Sequence, residues 1–163
     1  MDETQGPLLA ESDPAAPRLR EVGPVSMAIV DLNRSHRPLA AQLLREIGLF
    51  TGQEVLLMSL RHDGALTQAS ILRKSNIDAS TLTKSLQRLE QAGLVSRLPA
   101  SNDRRAMLVQ LTTAGQEACT AIAGIWARLE ALATSSLSDE ERGTFLSLAN
   151  RVAHNCWEAQ GAS

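Results

Sequence analysis

The sequence predicts a mainly α-helical fold with a small β-hairpin wing. Three observations support this class: Leu and Ala dominate an apolar fraction of 44%, apolar residues recur at helical spacing, and two β-prone runs flank a polar turn. A chain of 163 residues suits one domain with a tail. Because aromatic residues make up only 2%, aliphatic side chains must form the core.

The first 24 residues read as a flexible arm that contributes little to the core, because four of the six prolines lie there among Ala, Ser, Asp and Glu. The start of the chain lacks a basic segment followed by an apolar stretch. No apolar run approaches the ~20 residues that cross a bilayer. We therefore expect a cytoplasmic protein without a membrane partner.

Helical periodicity begins at Val25, and Pro38 is expected to kink or break this first helix. Three capping boxes, at Thr51, Thr113 and Ser138, predict further helix starts, because a hydroxyl and a carboxylate or amide three residues later satisfy free backbone amides. The last two starts precede a long helix and a final helix.

Two shorter helices are predicted between these starts, over residues 66–74 and 78–92. Asp78 is a suitable N-cap for the second, and Gly93 is a suitable stop. Residues 94–98 and 107–111 are β-prone and flank a polar segment, which indicates a hairpin.

The predicted helix over residues 78–92 has two chemically distinct faces on a helical wheel. Leu82, Leu86 and Leu89 share one narrow sector that should pack on neighbouring helices. Hydroxyl, amide and basic side chains occupy the opposite face and its flanks: Ser80, Thr81, Thr83, Lys84, Gln87, Arg88 and Gln91. In the major groove Gln can pair with adenine, Lys with guanine, and hydroxyls with several bases. An ordinary solvated helix face is the alternative explanation.

The tip of the predicted hairpin carries Asp103, Arg104 and Arg105. An arginine there can enter a narrow minor groove, and a neighbouring acid can hold its guanidinium through a paired hydrogen bond. A charged turn is the alternative. A groove-reading helix followed directly by a basic wing is more specific than either part, and it predicts a winged helix-turn-helix that binds double-stranded DNA.

Charge is distributed unevenly along the chain. The net charge is -2, yet residues 66–111 carry +4 and the remainder carries -6. The basic residues of this segment are Arg73, Lys74, Lys84, Arg88, Arg97, Arg104 and Arg105. A basic segment inside an acidic frame favours a local phosphate-binding surface.

Several segments resemble the MarR family of bacterial transcriptional regulators. They are Leu66-Thr67-Gln68, the residues 80–83 and 86–95, and the motif Asp103-x-Arg105 that leads into Leu111-Thr112-x-x-Gly115. The segment 69–75 departs from the usual pattern of the family. Over residues 25–158 the order of helices also resembles the family.

The resemblance implies a homodimer whose first and last helices interlock, and which represses transcription from a palindromic operator. It implies that Asp103 and Arg105 form the wing pair, with Arg105 in the minor groove. Recognition-helix positions would be Ser80, Thr81, Thr83, Lys84 and Gln87. The expected organisation is an arm over 1–24, a helical dimerisation region over 25–50 and 114–158, and a winged helix-turn-helix DNA-binding domain over 51–113.

The residue pattern alone does not decide whether the protein is a dimer, because two apolar stripes each fit either the core or a subunit interface. The first comprises Ile122, Ile125, Leu129 and Leu132, and the second comprises Phe145, Leu148, Val152 and Cys156. Two winged lobes would bind half-sites about one DNA turn apart, which multiplies specificity.

The resemblance further implies a phenolic or lipophilic small-molecule effector, in a cleft lined by residues 34–43, 55–62 and the long helix near Ala118. Side chains that could meet an anion there are Arg34, His36, Arg37, Arg61 and His62, although an exposed polar position is the better explanation for any one of them. Which molecule fits is not indicated.

Other functions have little support in the sequence. The sequence contains no catalytic constellation and no glycine-rich phosphate loop. We therefore expect that the protein is not an enzyme and binds no cofactor. The two cysteines, Cys119 and Cys156, lack metal-ligand spacing, and no metal is expected. We expect both to be buried, with a redox switch as the alternative. The alternative function is a protein-binding helical module on a winged-helix scaffold without DNA affinity.

Overall fold

The computed structural model describes residues 16–75, 77–99 and 107–161. Seven helices and three strands are assigned within these ranges, which confirms the predicted mainly helical class. In chain order they are α1 (Ala16–Val22), α2 (Pro24–Glu46), α3 (Gln53–Asp63), β1 (Leu66–Thr67), α4 (Gln68–Lys74), α5 (Ala79–Gln91), β2 (Val95–Pro99), β3 (Met107–Leu111), α6 (Thr113–Ala133) and α7 (Asp139–Gly161).

The chain divides into two compact units, residues 1–38 and 39–163. In the first unit, an ion pair of 2.7 Å joins Arg20 to Asp31. The arm predicted over 1–24 is helical from Ala16, because good helix formers lie between a proline in the first turn and the next proline. Helix α2 continues through Pro38, so the predicted break there is wrong; a single proline removes only one backbone hydrogen bond.

Leucines from several helices form the core of the second unit. Leu57 on α3 and Leu82 and Leu86 on α5 are 0% exposed. The other buried apolar side chains are Leu43, Leu44, Leu49, Leu56, Leu60, Ile71, Leu89, Val95, Val109, Cys119, Ile122, Ile125 and Leu129. Truncating one such leucine to alanine typically costs about 2–5 kcal/mol, so this cluster fixes how α5 packs.

The three strands form an antiparallel sheet in the order β1-β3-β2. Val95 pairs with Leu111 and Pro99 with Met107, which confirms the strands of the predicted hairpin. The polar tip between them lies outside the described residues. Strand β1 was not predicted, and the helix expected over 66–74 begins only at Gln68. Two residues are too short to show a strand period, and Leu66 pairs with the distant Val109.

Two predicted helix caps are confirmed. The amide of Thr81 donates to Asp78 Oδ1 over 2.9 Å at the start of α5. At the start of α7, the Ser138 amide donates to Glu141 Oε2 over 2.8 Å, and the Glu141 amide donates back to the Ser138 hydroxyl over 3.3 Å. These side chains satisfy amides that the first helical turn leaves free.

Two other caps differ from the prediction. Helix α3 begins after Gly52, which has φ 94° and no side-chain cap, rather than after Thr51. Glu54 still caps the start of α3, because its Oε2 accepts a hydrogen bond from the Gly52 amide over 2.6 Å. Helix α6 is capped by Thr112, one residue before the predicted Thr113. Adjacent threonines offer the same hydroxyl, so the sequence pattern does not separate them.

The two apolar stripes have different environments. Ile122, Ile125 and Leu129 are buried, whereas no residue of α7 is buried and Phe145 is 48% exposed. The prediction for the cysteines is half right, because Cys119 is buried and Cys156 is exposed. Burial raises the pKa of the Cys119 thiol.

Candidate nucleic-acid interface

Helix α5 presents a polar face away from the core. Leu82, Leu86 and Leu89 point into the core, as the helical wheel predicts. Ser80, Lys84, Gln87 and Gln91, on the opposite face, are all exposed. The helix therefore combines a rigid apolar attachment with a surface that is free to contact another molecule.

The amino-terminal end of α5 is organised by Asp78. Its carboxylate accepts hydrogen bonds from the Ser80 hydroxyl over 2.6 Å and from the Thr81 hydroxyl over 2.7 Å, as well as from the Thr81 amide. These bonds, led by the one from Ser80, hold the pKa of the Asp78 carboxyl well below its usual range. Ser80 and Thr81 therefore commit their hydroxyl protons to Asp78 and offer a ligand their acceptor lone pairs.

Thr83 is a link between helices rather than an open polar group. Its hydroxyl accepts from Gln68 Nε2 on α4 over 2.8 Å and donates to the Ala79 carbonyl over 2.8 Å. The residue is half-buried. Gln68 belongs to a segment that resembles the family, but the sequence gives no sign of its contact with Thr83.

Lys84 and Gln87 are the free polar groups at the centre of the exposed face. Among the described residues neither makes a side-chain hydrogen bond or ion pair. Their ammonium and amide groups are available to an external partner without breaking an internal bond.

Arg88 lies on the flank of α5 and is held by an aromatic ring. Its guanidinium carbon lies 5.7 Å from the centroid of the Phe50 ring, a cation–π contact. Phe50 precedes α3 and is itself exposed. The sequence shows Phe50 only as one of two phenylalanines, which gave no sign of its contact with Arg88.

Further basic residues near α5 are paired with acids. Arg97 Nε on β2 lies 3.1 Å from Glu90 Oε2, and Lys74 Nζ on α4 lies 2.8 Å from Asp63 Oδ2. The hydrogen bond from Lys74 lowers the pKa of Asp63. Lys84, by contrast, forms no ion pair with any residue that the structure describes.

The base of the hairpin is fixed to the turn after α5. The Thr112 hydroxyl donates to the Gly93 carbonyl over 2.6 Å, and its amide donates to the Leu94 carbonyl over 3.1 Å. Gly93 has φ 71°, a left-handed conformation that glycine adopts without strain. The predicted wing residues, Asp103, Arg104 and Arg105, lie outside the described residues.

Arg61 and His62, two of the residues predicted to line an effector cleft, face different surroundings. Arg61 turns toward α6, where its Nη1 lies 3.3 Å from the Thr120 hydroxyl oxygen and 3.5 Å from the Gln116 carbonyl oxygen. His62 lines a different cavity, between α3 and α6. Arg34 and Arg37 on α2 are exposed, and His36 is half-buried.

Within the described ranges, no cluster of three or more His, Cys, Asp or Glu side chains is arranged to hold a metal ion. The same part of the chain contains no helix with the length and apolar character needed to span a bilayer.

The hairpin and the helix-turn-helix arrangement of α4 and α5 define a winged-helix protein. The sequence profile of the MarR family matches residues 51–107. Over 99 residues the chain is 32% identical to the multiple antibiotic resistance protein MarR of Escherichia coli (strain K12), which covers 61% of this chain and 69% of that protein. It is 31% identical over 120 residues to the uncharacterized HTH-type transcriptional regulator YwoH of Bacillus subtilis (strain 168), covering 72% and 87%.

A solved structure has the same fold. A mutant of MarR from E. coli complexed with operator DNA superposes with a TM-score of 0.72 and 29% identity, covering 82% of this chain and 96% of that one. The chain belongs to the MarR family. Members of this family are transcriptional regulators and not enzymes, so this chain is a DNA-binding regulator of transcription.

Proposed function

We propose that this protein binds a palindromic operator as a homodimer and represses transcription until a small molecule releases it. The observation that carries the proposal is the exposed face of α5, where Lys84 and Gln87 stand unpaired within the described structure, opposite leucines that are fully buried. Such a helix can enter the major groove without losing internal contacts. A bacterial regulator of this kind acts in the cytoplasm, where the DNA lies.

We assign three roles within α5. Lys84 and Gln87 would read base edges, since Lys pairs well with guanine and Gln with adenine. Ser80 and Thr81 would accept hydrogen bonds from base amino groups, because their hydroxyls already donate to Asp78. Arg88 would contact a phosphate from the flank, with Phe50 limiting its freedom. Thr83 would hold α4 and α5 together.

The wing assignment rests on the family motif and on the base of the hairpin. Asp103 would orient Arg105 in the minor groove, and Arg104 would contact the backbone. The hydrogen bond from Thr112 to Gly93 supports this arrangement, because it ties the hairpin to the turn after α5. Residues 51–113 would then form the DNA-binding domain, as expected from the sequence.

A homodimer is supported by apolar surface that the single chain leaves uncovered. On α7, Phe145, Leu146, Leu148 and Trp157 are exposed, although the helix is long and regular. A second copy that buries this face would remove apolar area from water, which stabilises association. Residues 25–50 and 114–158 would form the dimerisation region.

The dimer is tested by sedimentation. The wild-type protein should sediment as a dimer, and Phe145→Asp should shift it toward the monomer, because an unpaired carboxylate in an apolar interface is costly. A matched control is Glu158→Asp, which keeps the charge of the same helix. A wild-type monomer at micromolar concentration contradicts the homodimer.

The operator is tested by selecting bound fragments from the source genome, followed by gel shifts on the recovered sequence. We expect a two-fold symmetric site whose affinity falls steeply with salt, with a log-log slope of about -0.9 per neutralised phosphate. Reporter expression from that site should rise when the gene is deleted. The absence of any salt-sensitive duplex binding would instead favour the protein-binding helical module.

A further inference from the structure

A cavity of about 470 Å³ lies between α3 and α6. Apolar groups on its wall include Val55, Met58 and Trp126, and its titratable groups are Glu54, His62 and Asp63. No Lys or Arg is among its lining residues. The site therefore combines an apolar surface with carboxylates and no strong cation.

Glu54 is a buried carboxylate of this cavity that is held by backbone amides. The residue is only 5% exposed, and its Oε2 accepts from the Gly52 amide over 2.6 Å. Within the described ranges no basic side chain forms an ion pair with it. Burial raises the pKa of Glu54, as expected for a carboxylate that lacks a cationic partner.

The second carboxylate of the cavity does have a cationic partner. Asp63 is already neutralised by Lys74, whose Nζ lies 2.8 Å from its Oδ2. Arg61 was predicted as a partner for an anion. Its guanidinium instead contacts Thr120 and Gln116 beside another cavity. An anionic guest between α3 and α6 would therefore meet Glu54 without a guanidinium to compensate.

The apolar wall suits a cation that carries a ring. Trp126 is 47% exposed, and the face of an indole attracts a cation within about 6 Å of its centroid. Met58 adds a polarizable thioether, which packs well against aromatic rings. Both side chains are exposed, so a small molecule can reach them.

We propose that this cavity binds a lipophilic cation, an aromatic amine or quaternary ammonium whose charge lies at Glu54 and whose apolar part contacts Trp126 and Met58. The inference rests on the proposed function in one respect, because it assigns a charge class to the effector. Glu54 accepts a hydrogen bond from the Gly52 amide just before α3, so a ligand at Glu54 acts at the start of the proposed DNA-binding domain, residues 51–113.

The test uses the full-length protein with Trp157→Phe, which leaves Trp126 as its sole tryptophan. Titration with benzyltrimethylammonium should change the Trp126 fluorescence saturably, whereas benzoate should not. In this background Glu54→Gln, which can still accept from the Gly52 amide, should weaken binding of the cation up to about fivefold, since one charge pair is worth up to about 1 kcal/mol. Affinity for the cation should also rise with pH as Glu54 ionises, and this dependence should be smaller in Glu54→Gln, in which His62 and Asp63 still line the cavity.

Glu117→Gln is the matched control, because Glu117 lies on α6, is exposed and does not line this cavity. It should leave the affinity for benzyltrimethylammonium unchanged. Binding of benzoate with equal or greater affinity overturns the proposal, as does a Glu54→Gln variant that binds the cation normally. An absence of saturable binding, the result expected if a second copy of the chain covers the cavity, also overturns it.

Gel shifts with the selected operator separate this proposal from the proposed function. If the protein binds no duplex yet binds benzyltrimethylammonium through Glu54, the regulatory function fails and the cation site stands. If the operator is bound normally and the cation is not, only the cation site fails.

Discussion

Gly115, in the first turn of α6, lies directly against the backbone carbonyl of Leu94, where a Cβ would overlap the carbonyl oxygen. The same junction contains the Thr112 hydroxyl, which accepts from the Gly115 amide over 3.0 Å and donates to the Gly93 carbonyl. The Leu-Thr-x-x-Gly motif therefore has a packing explanation. It fixes the hairpin and α6 to the end of α5.

Gly115→Ala should destabilise the protein by about 3 kcal/mol, because overpacking against a backbone atom forces a shift of the junction. Urea unfolding measures the change. Gly124→Ala is the matched control on the same helix: a Cβ there meets nothing within 4 Å, so alanine should stabilise the helix by about 0.5–1 kcal/mol. Equal stability of the two variants would contradict the junction as described.

Thr83→Val and Gln68→Ala should each reduce the free energy of unfolding by about 1 kcal/mol, because each removes the hydrogen bond between α4 and α5. The double variant should lose much less than the sum, since both changes remove the same interaction. Strict additivity in a double-mutant cycle would show that Thr83 and Gln68 are not coupled.

Asp78 should make stability fall at acid pH. Its pKa is lower in the folded protein than in the unfolded chain, so its contribution is present above the usual carboxyl pKa and is lost as pH falls below that value. Asp78→Asn retains the cap but does not titrate, and its unfolding free energy should change less between pH 7 and pH 3. If the unfolding free energies of the wild type and of Asp78→Asn change in parallel with pH, Asp78 does not contribute to the loss of stability in acid.

Phe50→Leu should weaken DNA binding modestly and about equally for all sequences, because it frees Arg88 without removing its charge. An exposed cation–π contact is worth about 0.5–1 kcal/mol, or a two- to fivefold change in affinity. Fluorescence anisotropy measures the affinity for the operator duplex and the affinity for a scrambled duplex. Phe50→Leu combined with Arg88→Ala should bind no more weakly than Arg88→Ala alone; a further loss would place Phe50 in a separate role.

Much of the site could be predicted because it depends on local pattern. The spacing of Leu82, Leu86 and Leu89 determines which face of α5 is buried, and Asp78 marks its start. The strands of the hairpin follow from two β-prone runs. These features are encoded within a few residues of one another.

The contacts that were missed join residues far apart in the chain. Gln68 meets Thr83 and Leu66 pairs with Val109 only after the chain has folded. The same limit applies to Cys156, whose apolar stripe predicted burial although this chain leaves it exposed. Periodicity indicates that a face is apolar, but it does not identify which surface covers that face.

The central claim is that the exposed face of α5 reads bases, and Gln87→Ala tests it most directly. Anisotropy titrations should compare wild type and variant on the selected operator and on duplexes with each base pair replaced. We expect the variant to lose about 1–3 kcal/mol of discrimination at one position in each half-site and to keep its affinity for scrambled DNA. Unchanged discrimination at every position would contradict the account.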